Sequence, residues 1–210
     1  MSNKAVITGD IINFTGMPPA GRQSLTAQAK KLFDSWLKVG SHAEIFRGDS
    51  FQLLLDDPEQ AVPRSIQLIC WFMSYPVGKD DVQLGSRISV GIGEVAYEGK
   101  NVLSSDGVAF HLSGRHFDTM KTGEFLIVHT GDEKKDKAIE TILIFINKYI
   151  ASWTRAQAEV IFQALDGKTQ QEIAAHLSLS QPSVNSRLKS AGWKELEPAV
   201  RYIGSLVKNQ

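Results

Sequence analysis

The sequence predicts an α+β protein in which a sheet domain is followed by an all-helical domain. In residues 1–130, the apolar positions alternate between the two-residue spacing of strands and the three-to-four-residue spacing of helices. After residue 133 only helical spacing is found, and it includes a pair of short helices with clear capping signals. With 210 residues and a hydrophobic content of 42%, the chain is long enough for one large or two small domains.

The N-terminal elements follow one another in the order β-α-β-β-α-β-α-β. Apolar runs predict strands at residues 4–9, 43–47, 51–55, 87–95 and 124–128. Amphipathic spacing predicts helices at residues 23–39, 61–75 and 108–120. This order is typical of a split βαβ sheet, the ferredoxin-like arrangement, and we expect its helices on one face. Gly91 and Gly93 are expected to allow close packing on their strand.

A charged break at residues 131–137 separates this part from a very apolar helix. We therefore divide the chain into a sheet domain at 1–133, a linker helix at 134–152 and a second domain at 153–210. One face of the linker helix carries an apolar stripe formed by Ile139, Ile142, Leu143, Ile146 and Ile150. Packing against a domain and pairing across a homodimer seam both explain such a stripe. Because exposed patches of this kind usually mark interfaces, we expect a two-fold homodimer.

Residues 169–191 have the pattern of a helix-turn-helix, a module that places one helix in the DNA major groove. Thr169 and Glu172 are spaced as a capping box at the start of the first helix. After a three-residue turn, Ser180 is expected to cap the second helix. Pro182 lies in the first turn of that helix, where a missing N–H is tolerated.

The second helix of this pair has an apolar inner face and a polar outer face. Val184 and Leu188 are four residues apart and face the first helix, while a supporting helix over 154–164 precedes the pair. Outward side chains of this kind contact bases or phosphates in DNA complexes. The predicted DNA-binding residues are Gln181, Ser183, Asn185, Ser186 and Arg187. The alternative is an ordinary helical hairpin with a polar surface.

Charge and composition narrow the classes of function. Residues 1–133 hold 12 Lys or Arg against 16 Asp or Glu, a balance of −4, whereas residues 134–210 hold 11 against 7, a balance of +4. A basic C-terminal part suits contact with DNA phosphates. Because no apolar run reaches 18 residues and the first residues lack a signal-peptide stretch, we expect a cytoplasmic protein without membrane contact. The single cysteine, Cys70, is expected to be a buried, inert thiol.

Two acidic residues are placed where strands are expected to end. Asp10 follows the first strand, and Asp49 lies in the hairpin turn. Side-by-side strands would bring both carboxylates together, and paired carboxylates with a backbone carbonyl suit Mg²⁺. The loop after Asp10 is also expected to be able to cradle a phosphate. The alternative, which spacing alone favours, is that each is a turn residue bonding its own backbone.

Five segments resemble, in the same order, motifs of the class III nucleotidyl cyclases. The segments are DIINFT, FRGDSFQLLL, RISVGIGEV, GVAFHLSGR and TGEFLIV, and together they span about 120 residues. The chain as a whole, with AVITGDII, RGDSFQ and the C-terminal helix-turn-helix, resembles the SatD family of bacterial proteins. The cyclase resemblance implies a nucleotidyl cyclase-like sheet domain.

The resemblance also implies roles for single residues. Asp10 and Asp49, joined by the carbonyl of Ile11, would hold Mg²⁺. Arg115 matches the arginine that stabilises transition-state charge, and His111 stands at the position of the asparagine that orients the ribose. In such cyclases these two groups come from opposite subunits, so a complete site requires a dimer. The residues that would face the triphosphate are Ile12, Asn13, Phe14 and Thr15.

Departures from the cyclase pattern fall in the half of the site that reads the purine. Ile45 takes the place of the purine-reading lysine, and His111 replaces asparagine. Since positioning supplies much of the rate in phosphoryl transfer, these changes favour a sensing domain over an active enzyme. We expect a homodimeric, DNA-binding transcriptional regulator that senses a nucleotide or phosphate ligand and is coupled through the linker helix. The alternatives are an enzyme that cyclises or hydrolyses a nucleoside triphosphate, and a protein-interaction adaptor that has lost both ligands.

Overall fold

A computed structural model of the chain describes residues 3–37, 42–78 and 83–208, and it has a mixed α+β fold. Eight α-helices lie within these ranges: α1 (Pro19–Trp36), α2 (Ala61–Ser74), α3 (Val108–Phe117), α4 (Glu133–Ser152), α5 (Arg155–Leu165), α6 (Gln170–Leu177), α7 (Gln181–Ser190) and α8 (Trp193–Val207). The strands are β1 (Lys4–Ile12), β2 (Ala43–Phe46), β3 (Ser50–Leu55), β4 (Gly85–Gly93), β5 (Val95–Tyr97), β6 (Asp106–Gly107) and β7 (Leu126–His129).

Five of these strands form one mixed sheet in the order β2-β3-β1-β4-β7. The first four strands pair with one another in antiparallel fashion, and β7 pairs with β4 in parallel at the edge of the sheet. The short strands β5 and β6 pair separately, and the sequence did not predict them because neither has a strand-length apolar pattern. The predicted order of the main strands and helices is confirmed within the described residues.

Several element boundaries differ from the predictions. β1 continues through Asp10 to Ile12, because β4 pairs with it over its whole length. α1 begins at Pro19, whose fixed backbone suits the first turn of a helix, and residues 38 and 39 of the predicted helix lie outside the described residues. α4 starts within the charged break, since Asp132 caps it by accepting from the N–H groups of Lys134 and Lys135.

The expectation that all helices of the sheet domain share one face is wrong. α1 and α2 cover one face, where the ring of Phe51 on β3 lies 6.0 Å from that of Phe33 and 5.7 Å from that of Phe72. α3 covers the opposite face, where Ala109 and Phe110 pack with Val6. Small residues on this face of β4 let the helix approach: a side chain at Gly91 would meet the backbone of α3.

The helix α2 is buried between the sheet and the C-terminal helices. Its residues belong to one continuous core that runs from the sheet through α2 into α5, α7 and α8. A polar group is built into the α2–α5 contact: buried Gln67 donates to the carbonyl of Phe162 at 3.2 Å and to Asp166 at 3.1 Å, and Arg64 also donates to Asp166 at 3.1 Å. The two predicted domains therefore share a core, and their division near residue 133 stays a prediction.

The apolar stripe of α4 is used inside the chain. Ile139, Leu143, Ile146 and Ile150 are buried, and Ile142 is partly buried against the same core. Of the two explanations offered by the sequence, packing against the domain is the one that the structure bears out. The stripe therefore no longer supports a homodimer seam, and that prediction needs a different surface.

Two further expectations concern single segments. Cys70 is fully buried in α2, so its predicted burial is confirmed, and burial raises the pKa of its thiol well above the ordinary value. Within the described ranges, no helix is both long and apolar enough to cross a membrane.

The close approach of α3 to β4 gives a stability prediction. A methyl group at Gly91 would lie 2.5 Å from the amide nitrogen of Ser113, and backbone cannot move aside as a flexible side chain can. We expect Gly91→Ala to lower the free energy of unfolding by about 1–3 kcal/mol or more. The matched control is Gly114→Ala on α3 itself, where nothing lies within 4 Å of the added methyl group, and a gain of up to about 1 kcal/mol is expected. Urea unfolding measures both, and equal effects would contradict the packing described.

Candidate functional site

The two short helices α6 and α7 begin with the caps that the sequence predicts. The hydroxyl of Thr169 accepts from the N–H of Glu172 at 3.3 Å, while the Glu172 carboxylate accepts from the N–H of Thr169 at 2.7 Å. That backbone bond holds the pKa of Glu172 below its usual value. Ser180 caps α7 by accepting from the N–H of Ser183 at 3.3 Å. Both helix starts are therefore fixed by local hydrogen bonds.

The turn between the helices is tight and contains a residue in the left-handed conformation. Ser178 has φ 54° and ψ 43°, a region that glycine adopts more easily. The N–H of Leu179 donates back to the carbonyl of Ala174 at 2.9 Å, as in the Schellman motif that closes many helices. The chain thus reverses into α7 within the three residues that the sequence assigns to the turn.

The inner faces of the pair are apolar and buried, as predicted. Ile173 and Ala174 on α6 face Val184 and Leu188 on α7, and all four are buried. The end of α7 is fixed to the end of α4 by Trp153, whose indole N–H donates to the carbonyl of Ala191 at 2.9 Å. These contacts seat α7 on the helices behind it.

The predicted DNA-binding residues do not share one environment. Gln181, Asn185 and Ser186 are exposed, whereas Ser183 and Arg187 are half-buried. A guanidinium nitrogen of Arg187 lies 3.7 Å from the carboxylate of Glu159 on α5, so its charge is already partly neutralised. Arg187 therefore lies at the flank of α7 rather than at the centre of its outer face.

A residue that the sequence analysis missed lies on that outer face. Lys189 is exposed and follows Asn185 by four residues and Ser186 by three, the spacing that places side chains together on a helix. It has no ion-pair partner in the described part of the chain. The signal was present in the sequence, because at 100° per residue Lys189 lies about 120° from the midpoint between Val184 and Leu188, on the polar side of the helix. We add Lys189 to the candidate interface.

The two predicted carboxylates lie on neighbouring segments at one end of the sheet. Asp10 pairs with Ser50 on one side and Arg87 on the other. Asp49 precedes Ser50, and its carbonyl accepts from the N–H of Ile11 at 2.9 Å. The sequence thus correctly placed these two residues in adjacent segments, although Asp10 lies within a strand rather than at its end.

The carboxylate of Asp10 forms an ion pair with the guanidinium of Arg87. Both oxygens of the carboxylate accept from the guanidinium of Arg87, one at 3.2 Å, and this ion pair raises the pKa of Arg87. The guanidinium also lies 5.6 Å from the ring of Phe117 on α3. No cluster of three or more metal-binding side chains is found among the residues described. Two carboxylates and a carbonyl suit Mg²⁺ chemically, but as arranged they do not fit the ion unless Arg87 gives way.

The predicted phosphate-facing residues are split between a strand and a turn. Ile12 is paired in β1, whereas Asn13 has a left-handed conformation and precedes the short 3-10 turn Phe14–Gly16. The side chain of Phe14 is buried, and Thr15 is exposed.

Arg22 organises the same loop from helix α1. Its guanidinium donates to the carbonyls of Thr15 and Met17 at 2.7 and 2.8 Å and lies 5.8 Å from the ring of Phe14. An open depression of about 540 Å³ adjoins this loop and contains Arg22, Lys30 and Gly48. The depression carries positive charge, which suits an anionic ligand.

The residues to which the cyclase resemblance gives a catalytic role lie on α3. His111 and Arg115 are exposed on α3, one turn apart, on the side away from buried Ala109 and Ser113. His111 faces Asp106, with nitrogen and oxygen 2.8 Å apart. Ile45, at the position of the purine-reading lysine, is half-buried opposite Phe51. Among the described residues, no hydrogen bond or ion pair joins His111 or Arg115 to Asp10.

A second open cleft, of about 560 Å³, lies between β7, α4 and the end of α3. The rings of His116 and His129 stack there at 3.4 Å. Burial, followed by repulsion from His116, lowers the pKa of His129 below its ordinary value of 6.5, while Asp136, Glu140 and Glu124 act in the opposite direction. No feature of the sequence alone pointed to this pair, since 13 residues separate the two histidines.

Comparisons of the chain with protein-family models, with curated proteins and with solved structures find no match. The resemblances to class III cyclases and to the SatD family therefore stay predictions from the sequence. The support for both candidate surfaces, the outer face of α7 and the Asp10 end of the sheet, therefore comes from their geometry alone.

The stacked histidines give a pH-dependent stability. Below pH 6.5 the unfolded chain binds a proton at His129 that the folded chain resists, so the free energy of unfolding falls as the pH drops through that range. We expect His129→Gln to lose less stability than the wild type between pH 7.5 and 5.5. The control, His176→Gln at an exposed position of α6, should behave as the wild type does. Urea titrations at the two pH values measure this, and equal losses in all three proteins would refute it.

Proposed function

We propose that this protein is a homodimeric DNA-binding transcriptional regulator. The observation that carries the proposal is the surface of α7, which is capped, packed against the helices behind it and polar on its exposed side. Asn185, Ser186 and Lys189 point outward together, and Gln181 is exposed in the first turn. Amide side chains make paired hydrogen bonds to bases, and lysine and serine bond phosphates, so this set suits a recognition helix in the major groove.

The helical neighbours of α7 support the same proposal. α6 packs across α7 through buried Ile173, and Gln170 of α6 lies 3.5 Å from Asn185, which helps to orient the amide. Glu159 on α5 holds Arg187 at the flank. A carboxylate next to the DNA-facing side opposes phosphate binding, so Glu159 would lower non-specific affinity without contacting bases.

We further propose that the sheet domain senses an anionic ligand such as a nucleotide. The positively charged depression beside residues 13–16 and the two carboxylates at the same end of the sheet support this. A ligand that draws Arg87 away from Asp10 would free that carboxylate for Mg²⁺. The contact between α2 and α5 then offers a direct route to α7, in addition to the linker helix expected from the sequence.

The second candidate function is an enzyme that cyclises or hydrolyses a nucleoside triphosphate. Asp10, Asp49 and Arg115 favour it, because they match the metal-binding and charge-stabilising positions of class III cyclases. Ile45 and His111 disfavour it, since neither supplies the purine or ribose contact of those enzymes. Product formation is the measurement that separates the two candidates.

Substitutions on α7 test DNA binding. Because Lys189 is exposed and has no ion-pair partner among the described residues, Lys189→Ala should weaken binding to all sequences alike and lower the salt slope by about 1. Arg187→Ala should cost about 1–3 kcal/mol at specific sites only, if the guanidinium reaches a guanine. Glu159→Gln should tighten binding, because it releases Arg187. Gel-shift titrations against genomic fragments, at two salt concentrations, measure all three.

The matched control for these variants is Lys100→Ala, in the exposed loop after β5, which should bind DNA as the wild type does. Circular dichroism confirms that each variant is folded. Absence of DNA binding by the wild type at low salt would reject the regulator proposal.

A thermal-shift titration tests the ligand proposal. We expect ATP or GTP with Mg²⁺ to raise the melting temperature, by the stabilisation of about 2.7 kcal/mol that a ligand at 100 times its Kd provides. Asp49→Asn should abolish most of the shift, and it is cleaner than Asp10→Asn because it leaves the Asp10–Arg87 ion pair in place. Asp34→Asn, exposed on α1, is the control.

Chromatography of the same mixtures measures turnover. We expect no cyclic nucleotide and no nucleoside diphosphate above background. Product made by the wild type and lost in Asp49→Asn would favour the enzyme. No shift with either nucleotide would reject the proposed ligand class and leave the DNA proposal standing.

A further inference from the structure

The outer face of α4 carries exposed apolar side chains for which the fold of a single chain gives no use. Ile144 and Phe145 lie near the middle of this 20-residue helix and are 63% and 62% exposed. Ile144 lines the cleft between α4 and β7, and Phe145 lines a groove between α4 and α8, so the two residues flank the outward side of the helix. On α8, which packs beside α4, Tyr202 is 53% exposed. Large exposed apolar residues grouped on adjoining helices mark interaction surfaces.

An apolar groove continues this surface from α4 to α8. It has a volume of about 320 Å³, and Phe145 and Tyr149 of α4 line it together with Leu196 and Ala199 of α8. The exposed ring of Phe145 therefore stands at the edge of a groove of matching chemistry. A surface that presents both a protruding apolar group and an apolar groove can be complementary to itself across a two-fold axis.

The charged side chains on the outer side of α4 are also arranged so that they can complement a second copy across a two-fold axis. Glu140, Ile144 and Lys148 are spaced four residues apart, so they form one row along the exposed side of the helix, with Ile144 at its centre. Neither Glu140 nor Lys148 takes part in an ion pair within the described ranges, although Glu140 lines the same cleft as His129 and acts to raise the pKa of that histidine. The row is acidic at one end and basic at the other. When a second copy of this row is rotated by 180° about Ile144, Lys148 of each copy faces Glu140 of the other.

We propose that this face binds a second copy of the chain, with the two α4 helices antiparallel and crossing at Ile144. Glu140 of each copy then faces Lys148 of its partner, on both sides of the crossing. Each charge lies about 6 Å from the axis along the helix, at a rise of 1.5 Å per residue, which long side chains can span. This inference rests on the homodimer of the proposed function and assigns its interface.

The dimensions of the face suffice for a specific dimer. A 20-residue helix is about 30 Å long, and two packed helices are about 20 Å wide, so α4 and α8 offer about 600 Å² per copy. The total of about 1,200 Å² is at the lower limit of the standard range for stable interfaces. We therefore expect a dimer that dissociates in the micromolar range and is sensitive to single substitutions.

Charge reversal with rescue tests the proposal on the free protein, without DNA. Lys148→Glu places two carboxylates opposite each other on both sides of the crossing, and Glu140→Lys places two ammonium groups there. Each variant should therefore raise the dimer Kd by about tenfold to a hundredfold. The double variant Glu140→Lys/Lys148→Glu restores both pairs and should return the Kd to near the wild-type value. Ile144→Glu should give a monomer. Sedimentation equilibrium from about 1 to 100 μM measures each Kd.

The matched control is Lys100→Glu, an identical change on an exposed loop, which should leave the Kd unchanged. Circular dichroism melting shows that each variant keeps its fold, as expected for exposed positions. A wild-type dimer that Lys148→Glu and Ile144→Glu leave intact, or a double variant that fails to recover, overturns this interface while the homodimeric regulator stands. A wild-type monomer at 100 μM overturns both the interface and the homodimer. DNA binding is scored separately by gel shift, so its loss is distinguishable from either result.

Discussion

Burial of α2 on two opposite sides is the constraint on which the rest of the structure depends. One side of this helix covers the sheet, where Phe72 stacks on Phe51, and the other side receives α5. An apolar helix buried all round cannot be left exposed, so the sheet and the C-terminal helices must assemble around it. Gln67 is fully buried in this contact and is satisfied only when α5 is in place, which fixes the relative position of the two halves.

That constraint determines how information could pass between the two candidate surfaces. The sheet carries the Asp10–Arg87 ion pair at one end, and α5 carries the Glu159–Arg187 ion pair next to α7. Both pairs hold an arginine that an anionic ligand or a DNA phosphate would otherwise bind. In each case the arginine is already paired with a carboxylate of the protein. Binding of an anion at either surface would therefore replace that carboxylate as the partner of the arginine.

The α4 helix shows why an apolar pattern in a sequence does not reveal which surface the apolar residues pack against. Its buried stripe and its exposed residues are both apolar, and the sequence shows one wide apolar helix. Packing against β7 and α8 takes up Ile139, Leu143 and Ile146 and leaves Ile144 and Phe145 outside. The residues that carry the proposed interface are therefore the exposed ones next to the stripe, and burial distinguishes them from the stripe itself.

The sequence by itself determined the features that depend on local chemistry. These are the order of strands and helices, the caps at Thr169 and Ser180, the buried Cys70 and the adjacency of the segments that carry Asp10 and Asp49. Spacing, capping and turn chemistry act over a few residues, so they can be read along the chain.

Only the tertiary structure decided what distant segments do to one another. It placed α3 on the second face of the sheet, paired Asp10 with Arg87 and stacked His116 on His129. It also paired Arg187 with Glu159 at the flank of α7. These outcomes depend on which surfaces meet after folding, because a charge or an apolar side chain finds its partner through packing across the whole molecule, and no local pattern in the sequence encodes that choice.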